Sequence, residues 1–215
     1  MDGRIEMCVD YWASKRYLPI VSISSGFIAL GIFVFVMVAL QAAGLPWADL
    51  TAQLLVAAAL FILFPEAVSL RAISGLVAPL LICGCALGLV WVGLFAPSGE
   101  VSFIDAKDLP TSSIVVSLVG TSLVTPIFEE KIVRGLVLKG LAPRLGPIWS
   151  SVVVSLGFAL VHWQSMLWAF IASSLLCAVF FKTKMSTLCC VVVHGATNAT
   201  IMTWHYTHGF ETILR

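Results

Sequence analysis

The chain has 215 residues, of which 60% are hydrophobic and 11% charged, and its mean hydropathy is +1.05. That composition excludes an ordinary water-soluble globular domain and describes an integral membrane protein. With a formal net charge of +1, no basic stripe and no phosphate loop, nothing in the chain points to nucleic acid.

In chain order, the first seventeen residues mix Asp2, Glu6 and Asp10 with Arg4, Lys15 and Arg16. A signal peptide wants a compact basic start, a short apolar core and a small-residue cleavage site, so this beginning reads as the lead-in to a retained anchor. Apolar runs then fall near 18–43, 51–70, 75–95, 111–138, 148–163, 165–181 and 186–206. Each is predicted to be a helix, because a chain in contact with lipid must satisfy its own backbone hydrogen bonds. The first run is long and is expected to tilt. Those around 148–163 and 165–181 are short and separated by Trp163 and Gln164, which suits two tight spans or one span with a re-entrant half. At ~20 residues per crossing the chain holds about seven spans. The expected fold is all-α, a polytopic transmembrane helical bundle forming one domain over 1–215, with anchoring spans in 1–110 and core spans in 111–206.

Orientation follows from the basic residues. With the N-terminus in the cytoplasm, the inner segments carry Arg4, Lys15, Arg16, Arg71, Lys139, Arg144, Lys182 and Lys184, against Lys107 and Arg215 outside. The outer loop 96–110 adds Glu100, Asp105 and Asp108. The expectation is a cytoplasmic N-terminus and an external C-terminus, in a bacterial inner membrane. Of the cysteines, Cys8, Cys83, Cys85, Cys177, Cys189 and Cys190, none forms a CxxC pair, and five lie in apolar runs as small buried hydrophobes. Gly84-xxx-Gly88 is a small-residue face expected to pack within the bundle. Glu66, which follows Pro65, reads as interfacial, and His205 and His208 sit with Trp204 and Tyr206 as an aromatic belt.

The fourth run departs from this apolar background with Pro126, Glu129, Glu130, Lys131 and Arg134. A charge at membrane depth costs at least ~2.5–3.5 kcal/mol, so such groups are usually kept for function. Residues four apart share a helix face, so Glu130 and Arg134 are expected to pair. Glu129 is turned by about 100° from Glu130 and can face a cavity. Pro126 removes a backbone hydrogen bond just before them and is expected to kink the helix. In the fifth run Phe158 and His162 are again four apart, which places the ring beside the imidazole. In the seventh, His194 and Asn198 share a face, and Gly195 and Ala196 between them let another helix approach. An imidazole and an amide converging from one face would suit a developing oxyanion.

Each pair has a plainer explanation: a charged helix end, an interfacial histidine, an interhelical hydrogen bond. Jointly they supply a carboxylate, two imidazoles, an amide and a guanidinium from three helices, more variety than bundle adhesion requires. A depth mismatch accompanies them. His162 lies ~21 Å along its helix from Ile148, whereas Glu129 and His194 lie ~12–15 Å from their cytoplasmic ends, so tilt or a bend must bring them level.

The ordered set Glu129-Glu130-xxx-Arg134, Phe158-xxx-His162 and His194-xxx-Asn198 resembles the CPBP family, the CAAX proteases and bacteriocin-processing enzymes also called Abi proteins, over roughly residues 111–206. The resemblance implies an intramembrane endopeptidase in which Glu129 and His162 activate water, Glu130 with Arg134 positions the catalytic carboxylate, and His194 with Asn198 binds the oxyanion. Glu129, His162 and His194 are also a candidate set for a divalent metal such as zinc, although the local HExxH geometry is missing. The implied partners are the lipid bilayer and a membrane-embedded or lipid-anchored peptide substrate. A non-proteolytic scaffold or immunity protein with a partner membrane protein, and a small proton-coupled transporter, are the competing classes. No inverted repeat with paired broken helices supports the transporter.

Overall fold

A computed structural model describes residues 18–66, 74–95 and 110–208. Among these, helices follow one another without a strand. They are α1 (Leu18–Ala42), α2 (Ala48–Leu63), α3 (Val77–Leu94), a composite α4, α5 (Lys139–Val161), α6 (Met166–Lys182) and α7 (Thr187–His208). Helix α4 runs as an α-helix Thr111–Val119, a π-helical turn Gly120–Val124, an α-helix Thr125–Ile132 and a second π-helical turn Val133–Leu138 that leads into α5. Arg4, Lys15, Arg16, Arg71, Lys107 and Arg215, with Glu100, Asp105 and Asp108, lie outside the described residues, as does Cys8.

The expected all-α membrane bundle is what the chain forms. Among the described residues, four helical stretches qualify as spans by length and hydropathy: Pro19–Ala42, Val77–Leu94, Thr111–Val161 and Trp163–Lys182, with Ala48–Leu63 apolar but shorter. The apolar runs 111–138 and 148–163 lie on one continuous helical stretch, broken at Gly146, which adopts φ +74°. Glycine can take that left-handed conformation, and Pro147 then opens the next helical segment with its fixed φ. The boundary between α5 and α6 is tighter still: His162 leaves the helix at φ −100°, ψ 47°, and a single 3-10 turn, Trp163–Ser165, leads into α6.

Helix α4 is the axis of the bundle. Phe128, Ile132 and Leu136 join Ala29 of α1 and Val56 and Leu60 of α2 in one core, while Leu138 joins Leu176, Phe180 and Val193 of α6 and α7 in another. Helix α7 lies most closely along α3. Gly84 and Gly88 make that contact: a Cβ on Gly84 would collide with the Val193 carbonyl and Ala196, and one on Gly88 with Thr200. The small-residue face of α3 therefore packs inside the bundle, as expected. Outward-facing apolar side chains such as Phe35, Ile62 and Val161 are 74%, 79% and 78% exposed, a surface that suits hydrocarbon and not water.

Candidate active site

The site is built on two irregularities of α4. In the first π-turn the Thr125 N–H bonds back to Gly120 O, five residues away instead of four. Thr121 O thereby loses its α-helical donor, and the next residue able to serve, Pro126, has no N–H. The amide Nδ2 of Asn198 takes that place, donating to Thr121 O at 3.0 Å. Pro126 likewise has no N–H for Ser122 O, four residues behind it. There α7 comes so close that a Cβ on Gly195 would run into this carbonyl. The proline expected to kink α4 is thus absorbed as a π-turn, and the carbonyls it releases dock the helix that carries His194 and Asn198.

Just beyond, three consecutive side chains leave α4 in three directions, as 100° per residue requires. Glu130 and Arg134 are both 0% exposed and pair within the helix, Arg134 Nη1 donating to Glu130 Oε1 at 2.9 Å. Arg134 also donates through Nη2 to Ser173 Oγ at 2.7 Å and Ser173 O at 3.1 Å, and its guanidinium lies over the Phe158 ring, 5.3 Å from the centroid. The ion pair is anchored to α6 and α5, beyond α4 itself. Lys131 turns to the other side, its Nζ 2.6 Å from both Glu66 Oε1 and Phe64 O. Glu129 remains partly open, with its side chain 22% exposed.

His194 joins the two carboxylates. Its Nδ1 is 2.8 Å from Glu130 Oε1 and its Nε2 is 3.8 Å from Glu129 Oε2. A carboxylate can only accept, so Nδ1 carries the proton in that bond and Nε2 faces Glu129. The other imidazole is set differently. His162 Nδ1 lies 2.9 Å from the Phe158 carbonyl, so it too is the N–H, and Nε2 is left with its lone pair. The Phe158 ring stacks on His162 with centroids 4.3 Å apart and meets His194 edge-on at 6.3 Å. Glu129 lies within electrostatic reach of both His194 and His162. The bend at the end of α5 and the ring one turn behind it carry His162 to the same region as the α4 and α7 groups, which the straight-helix distances did not allow.

Residues 111–200 match the family model of type II CAAX prenyl endopeptidases, Rce1-like. The matched stretch, somewhat under half of the chain, is similar to that family. The match begins where α4 begins, ends within α7, and contains every residue of the three motifs. It agrees with the resemblance to CPBP intramembrane proteases read from the sequence. No curated protein and no solved structure matches the chain.

Of the motif residues in the Rce1-like segment, Glu129, Glu130, Arg134, His194 and Phe158 meet in one connected cluster, and His162 joins it through Phe158. Asn198 is on the same face of α7 as His194, but one of its amide hydrogens is engaged by Thr121 O. Sequence reasoning missed Ser173, which shares Arg134, and the Lys131–Glu66 pair. An apolar α6 with two adjacent serines gives no signal in one sequence, whereas a lysine next to two glutamates at membrane depth was a signal for a partner. Glu66 at the end of α2 was the available acid. Among the described residues no three His, Cys, Asp or Glu side chains are grouped to hold an ion. The Glu130 bond to His194 Nδ1 leaves His194 Nε2 facing Glu129.

Proposed function

We propose that the protein is an intramembrane endopeptidase that cleaves a peptide bond in a membrane-embedded or lipid-anchored substrate with water activated by Glu129 and His162. The observation that carries this reading is the hydrogen-bonded chain Arg134–Glu130–His194, with Glu129 3.8 Å beyond it, in a bundle otherwise poor in charge. The similarity of residues 111–200 to a family of prenyl endopeptidases supports the reaction class.

Charge balance supplies a division of labour. Arg134 and Glu130 cancel, which leaves Glu129 and His194 with one proton between them. When Glu129 is ionised and His194 is an imidazolium, the cluster is neutral; when the proton sits on Glu129 and His194 is neutral, it is neutral again. In the first state Glu129 can act as base, and His194 presents a second N–H at Nε2 while Nδ1–H stays bonded to Glu130. The carboxylate that removes the proton and the donor that meets the oxyanion therefore become competent together.

The attack follows from those positions. Glu129, with the His162 Nε2 lone pair orienting the water, takes a proton as the water oxygen bonds to the substrate carbonyl carbon. The resulting oxyanion is met by His194 Nε2–H and by the second amide hydrogen of Asn198. Collapse breaks the C–N bond, and the proton held by Glu129 passes to the leaving amine. A protonated Glu129 before binding would remove the base, and the orienting role of His162 depends on the lone pair at Nε2.

The test is Glu129→Gln, nearly the same in shape. A ~10²–10⁴-fold loss of cleavage of a prenylated CAAX-type reporter in liposomes, with unchanged yield, is expected. Comparison of membrane peptides with and without Glu129 would identify the natural substrate. Full biological function in the Glu129→Gln variant would sink the reading in favour of a scaffold, and proton flux without hydrolysis would favour a transporter.

A further inference from the structure

The strongest feature left unused by this chemistry is a second buried ion pair on the opposite side of α4. Lys131 has a side chain only 1% exposed, and its partner Glu66 is 12% exposed. Lys131 Nζ donates to Glu66 Oε1 and to Phe64 O and lies 4.5 Å from the centre of the Phe61 ring. Glu66 is also the acceptor for the hydroxyl of Thr187, the first residue of α7. A side chain on Gly135, one turn after Lys131, would press on Glu66 Oε1 at 3.0 Å. The cluster thus joins the end of α2, the middle of α4 and the start of α7.

A buried ion pair is a weak source of net stability, because desolvation of both charges offsets their attraction, and apolar residues of like size often do as well. What such a pair does supply is a directional constraint. Lys131 is the residue immediately after Glu130, so fixing its azimuth fixes where Glu129 and Glu130 point. Thr187 lies on the same helix as His194, seven positions earlier and so two turns away on roughly one face. The two groups that must meet, Glu130 Oε1 and His194 Nδ1, are each held on an element that Glu66 touches.

We propose that Glu66 and Lys131 are positioning residues for the active site, setting α4 and α7 against each other so that His194 bridges Glu130 and Glu129. The proposal rests on the hydrolase reading for its catalytic consequence but not for its geometry. The pair acts from the far side of α4 and touches no reacting atom.

The experiment uses the full-length protein in detergent micelles, comparing wild type, Lys131→Arg and the double variant Lys131→Met/Glu66→Gln. The double variant leaves no lone charge buried, and the carboxamide introduced at position 66 can still accept from Thr187, so folding is kept apart from positioning. Turnover of a farnesylated CAAX-type peptide should fall about tenfold to a hundredfold in kcat with KM within about twofold, as small misplacement of catalytic groups does. The conservative Lys131→Arg variant should recover most of that rate. In parallel, the side-chain ¹⁵N resonances of His194 at fixed pH, assigned through His194→Gln, should move in the double variant while those of His205 stay. A folded double variant with wild-type His194 resonances would overturn the proposal, as would one with wild-type kcat in a protein that Glu129→Gln inactivates. Should wild type leave the farnesylated peptide uncut, the His194 resonances alone decide, and the failure then belongs to the substrate reading.

Discussion

At the scale of single residues the informative fact is how few groups share so many contacts. Arg134 holds Glu130, two atoms of Ser173 and the face of Phe158 at once. Arg134→Ala would leave Glu130 buried without a counter-charge, at a cost of ~3–5 kcal/mol. Yield of monodisperse protein on size exclusion should drop sharply and turnover should vanish. Arg134→Lys keeps the charge but cannot span Glu130 and Ser173 together, so it should fold with weakened activity. A lysine variant equal to wild type in both measurements would contradict the fork geometry. The Glu130–Arg134 pair was legible in the sequence because i,i+4 spacing is a property of one helix. Ser173 was not, because which face of α6 meets Arg134 is decided by packing between distant parts of the chain.

The same contrast holds for elements. Pro126 announced an irregularity in α4, but a proline can bend a helix, break it or be taken up in a π-turn, and only the neighbouring helix selects among these. Here α7 supplies the selection, with Asn198 on Thr121 O and Gly195 against Ser122 O. Pro126→Ala restores an N–H to α4 and removes a residue that costs ~3 kcal/mol in a helix interior. Thermal stability should stay level or rise, while turnover falls about tenfold as Asn198 loses its acceptor and the α4–α7 register shifts. Wild-type turnover in that variant would show that the π-turn is incidental. Gly195→Ala tests the contact from the other side. Its methyl group must displace Ser122 backbone, an overpacking of ~1–3 kcal/mol, so both melting temperature and turnover should decline. The start of the fifth apolar run near 148 was readable from hydropathy; the 3-10 turn that aims His162 was not.

For the molecule as a whole, the hydropathy profile located the apolar helices, and the three motifs located the face where they converge. What it left out was partnership: that α3 would lie along α7, or that the end of α2 would reach under α4. Those depend on small residues and lone polar groups whose complements lie far along the chain. The burial pattern makes a checkable statement about the cysteines, five of which are free among the described residues. A membrane-permeant maleimide should label Cys85, which is exposed, in the folded protein, and should reach Cys177, Cys189 and Cys190 only after denaturation. Rapid labelling of the buried three would mean that the α6–α7 core opens freely.

The two cations of α4 also bear on how such a chain is made. Arg134 finds its acid within its own helix, so that pair can enter the bilayer already neutralised. Lys131 depends on Glu66, which the ribosome has delivered long before α4 emerges. Neither charge must wait for a later segment, while Thr187 and His194 arrive last and meet acids already in place. The direction of translation and the direction of assembly therefore coincide, and a permuted gene that began at α4 would ask the insertion machinery to carry a bare ammonium into lipid.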